Sequence, residues 1–142
     1  MAVASTSPGA MSTLDCVRVA ASCAFTVTRL TQICHQLSVN AGWYQDPATG
    51  EMIQRNVPEM LALVHSEVSE ALEAVRKNRR DEHLPNRLGV EVELADAVIR
   101  IADLAACLGL DLGAAIVEKL IYNANRADHT LAARAADGGK AF

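Results

Sequence analysis

Residues 87–108 constrain this chain more than any other stretch. Val90, Val92, Leu94, Ala95, Ala97, Val98, Ile99, Ile101, Ala102, Leu104, Ala105 and Leu108 make the segment apolar at nearly every helical phase, and Gly109 closes it. A helix of that kind is buried on most sides. Yet it carries Glu93, Asp96, Arg100 and Asp103. At about 100° per residue, with Glu93 at the origin, Asp96, Arg100 and Asp103 fall at about 300°, 340° and 280°, so the ionisable side chains share one narrow strip. An unpaired carboxylate in such a place is costly or takes up a proton. The strip needs partners, cations or a water-filled cleft, and Arg100 and Asp103 are expected to pair beside it in support.

A second helix supplies a counterpart. Asn56 is a good N-cap, Glu59 occupies the capping-box position and Pro58 is tolerated in the first turn, so a helix runs from Asn56 to Lys77. Its apolar arc is Leu61, Val64, Val68, Ala71, Leu72 and Val75, with Glu67, Glu70 and Lys77 on a strip beside it. Glu67 and Glu70 share a face, as do Glu93 and Asp96. Packed together, the two helices put four carboxylates around one point, and such anions repel unless a cation sits among them. Oxygen ligands without a cysteine or an evident histidine favour Mg2+, with Mn2+ as a substitute, over Zn2+. No Glu-x-x-His motif is present, against a di-iron carboxylate bundle, and His35, His65, His83 and His129 are read as surface or satisfied core residues.

The remaining chain fits an all-α domain. Residues 13–39 read as a helix with Leu14, Val17, Ala21, Ala24, Phe25, Ile33 and Leu37 as its apolar positions; 41–55 is a loop and 78–87 a charged loop. Asp111 caps a helix reaching Asp128, and a short helical turn follows at 130–136. The hydrophobic share is 51% and aromatics only 4%, which favours helices over sheet. One helical domain is expected over 13–137, a four-helix bundle, with a disordered tail at 1–12 and a flexible tail at 138–142. Net charge is −4 with no basic stripe, against a nucleic-acid polymer as partner. Cys16, Cys23, Cys34 and Cys107 form no C-x-x-C pair and read as reduced core thiols. No segment has transmembrane length or a cleavable leader's pattern, so no membrane association is expected and the location is cytoplasmic, in a bacterial cell or in a phage-infected host. The helix over 87–108 is too apolar for one short subunit to cover, which points to a homo-oligomer.

The ordered set of motifs resembles the all-α NTP pyrophosphohydrolases of the MazG-like superfamily, and most closely the small single-domain MazG-like proteins of bacteria and of phages that infect cyanobacteria. The resemblance is carried by His35-Gln36-Leu37, Gly42-Trp43, Arg55-Asn56, the stretch from Leu63 to Ala71 with Glu67-x-x-Glu70, the stretch from Glu91 to Ala97 with Glu93-x-x-Asp96, and Glu118-Lys119-x-x-Tyr122-Asn123-x-x-Arg126-Ala127-Asp128-His129. It covers residues 30–142. Longer members open the first motif with paired glutamates, whereas this chain has Ser66, so no catalytic role carries over to that position.

The resemblance implies conversion of a standard or modified nucleoside triphosphate and water to the monophosphate and pyrophosphate. Glu67, Glu70, Glu93 and Asp96 would be the catalytic metal-binding acids, with Glu67 the general base orienting a water. Lys119, Asn123 and Arg126, on one face of the last long helix, would contact phosphate and sugar or base, the alternative being a solvated face. Trp43 would stack on the base or else plug its loop; Arg55 would contact phosphate or else stand exposed beside a helix start; Lys140 sits on a tail that could fold over the site. The family implies dimers or tetramers, and the tetramer is favoured. Phosphoribosyl-ATP pyrophosphohydrolase fits less well, given Gly42-Trp43 and Tyr122-Asn123. Outside this class stand a non-catalytic helical protein sensing a nucleotide or metal, and a purely structural oligomerising bundle.

Overall fold

The computed structural model describes residues 13–139, which are mostly helical and contain five helices and no strand. These are α1 (Thr13–Asn40), α2 (Val57–Lys77), α3 (Gly89–Cys107), α4 (Leu112–Ala124) and α5 (Leu131–Ala135), with a 3-10 turn at Ala127–His129 before the last. The fold is all-α, as the composition predicts. The expected tail at 1–12 lies outside the described residues, as do 140–142 and therefore Lys140. Two compact units divide the chain: Val27–Leu112, and Met1–Thr26 with Gly113–Phe142. No helix among the described residues is long and apolar enough to cross a membrane.

The first three helices begin and end within two residues of expectation. At the start of α2 the Asn56 side chain accepts from the Glu59 N–H, with Pro58 in the first turn; at its end Asn78 adopts a left-handed conformation, φ 48°. The fourth helix stops at Ala124, short of the expected Asp128. Asn125 explains the difference. Its side-chain amide takes the Ile121 carbonyl at 2.8 Å, while its own N–H falls back to Tyr122, at 3.2 Å. A side chain competing for helix carbonyls in this way ends the ladder.

In the unit Val27–Leu112, α2 and α3 run antiparallel. Contacts descend from Met60 with Leu104, through Glu67 with Arg100, to Ala74 with Gly89. The seam is built of small residues. Ala71, Ala74, Gly89 and Ala97 are all buried, and a Cβ on Gly89 would lie 3.0 Å from the Ala74 Cβ and 3.2 Å from the Arg79 carbonyl oxygen. Beyond one end of the seam, Tyr44, Met60 and Leu104 form a core packed by Val39, Val57 and Cys107.

This seam overturns the expected burial along α2. Along α2 the buried residues are Met60, Glu67, Ala71 and Ala74, whereas Leu61, Val68, Leu72 and Val75 of the expected arc are exposed. On α3, Leu94, Val98, Ile99 and Ile101 are open in the single chain, which agrees with a helix too apolar for one short subunit to cover. Small residues let two helix backbones approach closely and leave no room between them for branched side chains. In α1, Phe25, Ile33 and Leu37 are exposed, and the buried positions are Ala20, Thr31 and Cys34. Cys34, Cys107 and Cys23 are free thiols; Cys34 is buried as expected, but Cys23 is exposed and no core residue.

Candidate metal centre

Glu67 lies on the buried stripe of α2, between the small residues of the seam and the Met60 core. Glu93 and Asp96 stand nearly one turn apart on the facing strip of α3. Carboxylate oxygens of these three residues all lie within 4.8 Å of one another. Glu67 is only 6% exposed, and Arg100 Nε donates to its Oε1 at 2.5 Å. One guanidinium does not balance the local charge. Burial pushes the Glu93 carboxyl above its ordinary range, and the neighbouring Glu70, Glu67 and Asp96 push it further. Burial also raises Asp96, as does Glu67, while Arg100 opposes the rise. Carboxyls crowded to this degree favour a cation or a shared proton among them.

The donor set fits a hard divalent ion. It offers three carboxylates and no thiol or imidazole, which suits Mg2+ or Mn2+. Glu70 is exposed at the rim; it lines the same cavity and acts on Glu93 by charge, but stands outside the tight trio. Ser66 donates to the Leu63 carbonyl at 2.8 Å, a bond within its own helix.

The acids open into a cavity of about 640 Å³ whose far wall is the loop between α2 and α3, including Arg79, Arg80 and His83. Sequence reasoning treated that loop only as a charged connection. Its backbone is fixed: the Gly89 N–H donates to the Arg79 carbonyl at 2.9 Å, Arg80 pairs with Leu88 in an isolated bridge, and the Asp81 carboxylate accepts from the N–H groups of His83 and Leu84. Arg79 and Arg80 thus line the cavity that Glu67, Glu70, Glu93 and Asp96 line, with Asp81 and Glu82 of the same loop beside them. The one signal in the sequence is their place, directly between the two acid-bearing helices.

A second cavity, of about 240 Å³, adjoins the first, sharing Asp96 and Arg100 with it. Trp43, Arg55, Ser38 and Asp103 line it, with Met60, Leu63 and Ile99 as its apolar part. Trp43 is 65% exposed and so is not a plug for its loop. Arg55 is partly buried rather than simply exposed; its Nη1 donates to the Trp43 carbonyl at 2.7 Å, and its guanidinium lies 5.8 Å from the Tyr44 ring centroid. Arg100 and Asp103 do not pair with each other as expected. Arg100 holds Glu67, and Asp103 Oδ1 accepts from His35 Nδ1 at 2.8 Å and from the Tyr44 hydroxyl at 2.9 Å. Side chains one turn apart on a strip are free to choose partners across the seam, and these do. His35 is thus a satisfied histidine, and His65 and His83 are at the surface.

Compared with family models, curated proteins and solved structures, the chain matches none. Its chemistry is read from its own residues.

Lys119, Asn123 and Arg126 belong to the other compact unit and form a group there. They do not share one helical face, because α4 ends at Ala124 and Arg126 lies beyond it. Tyr122 gathers the two cations instead, with Lys119 Nζ 4.7 Å and the Arg126 guanidinium 5.9 Å from its ring centroid. Arg126 also donates twice to Asp128, which raises its pKa. Asn123 Oδ1 is buried with no hydrogen-bond partner among the described residues.

Proposed function

We propose that this chain is a Mg2+-dependent nucleoside triphosphate pyrophosphohydrolase of the MazG-like all-α kind, converting a standard or modified (d)NTP and water to (d)NMP and pyrophosphate. The observation that carries this reading is the juxtaposition of the Glu67–Glu93–Asp96 trio, the arginines Arg79, Arg80 and Arg100 lining the same cavity, and an adjoining partly apolar cavity. A triphosphate needs the first two and a nucleoside needs the third.

Glu67, Glu93 and Asp96 hold the cation, with Glu70 at its edge. When bound, Mg2+ supplies charge neutralisation for phosphate oxygens and acidifies a water. The chain's own groups do the rest. Arg100 fixes Oε1 of Glu67, leaving Oε2 to accept a proton from the attacking water. Arg79 and Arg80 bind the departing phosphates, since guanidinium groups match phosphate oxygens in a forked geometry. Trp43 faces the nucleoside side, and Arg55 positions Trp43 through its carbonyl. The cations gathered at Tyr122 and the orphan acceptor of Asn123 support a ligand-contacting role for Lys119, Asn123 and Arg126.

The open aliphatic surfaces of α2 and α3 support a homo-oligomer, with the tetramer favoured, in a bundle completed between subunits. The test of the whole reading is pyrophosphate release from a panel of ribo- and deoxyribonucleoside triphosphates with Mg2+ or Mn2+. Turnover that Asp96→Asn abolishes supports it. Absence of turnover for every nucleotide overturns it in favour of the non-catalytic sensing protein.

A further inference from the structure

The smaller cavity contains one group that the hydrolytic chemistry does not use. Asp103 sits on its wall, nearly two helical turns along α3 from Asp96 of the metal-binding trio. Both of its hydrogen bonds among the described residues fall on Oδ1, from His35 and from Tyr44. Tyr44 is buried, and its ring meets that of His35 edge-on with centroids 4.9 Å apart. Burial, Cys107 and Asp103 all push the Tyr44 hydroxyl's pKa up, so it stays a donor. The carboxylate is therefore clamped by two side chains from outside its own helix, both on Oδ1, and the residue lines the cavity. Each of the two arginines lining the same space gives one hydrogen bond elsewhere, Arg100 Nε to Glu67 and Arg55 Nη1 to the Trp43 carbonyl.

A fixed anionic acceptor at the wall of a partly apolar slot selects a ligand that brings a donor. At about 240 Å³ the slot lies below the range of drug-sized sites, about 300–1,000 Å³, and suits one ring system. Nucleobases divide at this point. Cytosine and adenine present an exocyclic amino group at the position where uracil and hypoxanthine present a carbonyl oxygen; the ring N–H of the latter two lies beside that oxygen, which a carboxylate repels, and guanine, with an amino and an oxo group, stands outside this comparison.

We propose that this cavity receives the base and that Asp103 Oδ2 accepts a hydrogen bond from its exocyclic amino group, making the chain selective for amino-bearing over oxo-bearing nucleotides. The inference rests on the pyrophosphohydrolase reading and deepens it. Asp103 acts as a specificity-determining residue, and His35 and Tyr44 position it.

The experiment compares kcat/KM for the near-isosteric pairs dCTP with dUTP and dATP with dITP, in the full-length protein with Mg2+. The expected preference for the amino member is about tenfold to hundredfold, the range for a hydrogen bond to a charged group. Asp103→Asn, whose amide can donate as well as accept, is expected to collapse the ratio to near one or reverse it while retaining turnover of dUTP. Tyr44→Phe is expected to lower the ratio partly, because one of the two bonds that hold Asp103 Oδ1 is gone. A probe that needs no variant is the cytidine analogue with hydrogen in place of the amino group. It is expected to lose the preference, because it lacks the donor without adding bulk. Turnover of all nucleotides with ratios near one in the wild type overturns this inference and leaves the hydrolase standing, as does a ratio unchanged in Asp103→Asn. Absence of any turnover overturns both.

Discussion

Replacing Glu93 by Gln removes one negative charge from the acid trio while keeping the side chain's size. Oxygens of Glu67 and Asp96 lie within 4.8 Å of one on Glu93. Two unit charges at that separation repel by about 1 kcal/mol in bulk water and about 3.5 kcal/mol at an effective dielectric of about 20. Glu93 is half-buried, which places each pair between those limits, and Arg100 offsets part of the total. A net relief of about 1–2 kcal/mol follows for the metal-free protein at neutral pH. The pH dependence carries the same sign. The folded-state pKa of Glu93 is raised above its unfolded value, so the native chain holds that proton to higher pH than the unfolded chain does. Stability from this group is present at acidic pH and is lost as pH rises from the ordinary carboxylate range through the raised pKa. Metal-free Glu93→Gln should therefore melt about 3–8 °C above wild type at neutral pH, taking a few degrees per kcal/mol for a domain of this size. The gap should narrow as pH falls towards the carboxylate range. Excess Mg2+ should reverse the order. An ion at about 100 times its Kd adds about 2.7 kcal/mol to the wild type, and the variant gains little because a ligand is gone. Thermal melts with chelator and with Mg2+, at one protein concentration, read both effects. A lower metal-free Tm in the variant, or an equal Mg2+-induced rise in both proteins, would refute the reasoning.

Two further perturbations probe how the site is built. Gly89→Ala places a methyl 3.0 Å from Ala74 Cβ and 3.2 Å from the Arg79 carbonyl, so it should cost about 1–3 kcal/mol by overpacking, measured by urea denaturation; a neutral result would mean the seam is looser than its geometry states. The double substitution Arg79→Ala and Arg80→Ala should raise KM for the triphosphate about tenfold, by loss of charge-assisted phosphate contacts, and weaken inhibition by pyrophosphate, with metal binding retained in the thermal-shift assay. Unchanged KM and inhibition would remove the loop from the site.

Much of this arrangement was legible in the sequence because helices convert spacing into direction. Glu93 and Asp96 on an otherwise apolar segment had to find partners, and Glu67 with Glu70 supplied candidates at the matching spacing. Which of the pair would face inward was not legible. Glu67 and Glu70 differ by about 300° around α2, and small residues at 71 and 74 decide which azimuth meets α3. The arc of Val68, Leu72 and Val75 was misjudged for the same reason: periodicity counts apolarity, whereas close packing selects size. Asp103 was read with its neighbour on the strip, but its partners, His35 and Tyr44, lie 68 and 59 positions away in the sequence, where local pattern carries no information. Arg79 and Arg80 were missed because a loop has no period, and only its backbone closure onto Gly89 directs them.

The exposed aliphatics and the acid trio are two consequences of one packing choice. Were Val68, Leu72 or Val75 turned into the seam, their bulk would separate the helix axes, and carboxylates projecting from opposite helices could not converge within 4.8 Å. Alanine and glycine on the seam permit that convergence at the expense of apolar burial within the chain. The loss is large: a fully buried Val, Leu or Ile contributes about 1.5–3 kcal/mol, and eight such side chains on α2 and α3 are exposed in the single chain. A chain that places acids at its tightest seam and aliphatics outside it has moved part of its hydrophobic stabilisation to another surface. In the proposed homo-oligomer, a second copy of the chain would cover it. The repulsion stored at Glu67, Glu93 and Asp96 is relieved by a cation. Under the proposed function, self-association would cover those aliphatics and ion binding would relieve the acid trio, so each would add to the stability of the fold.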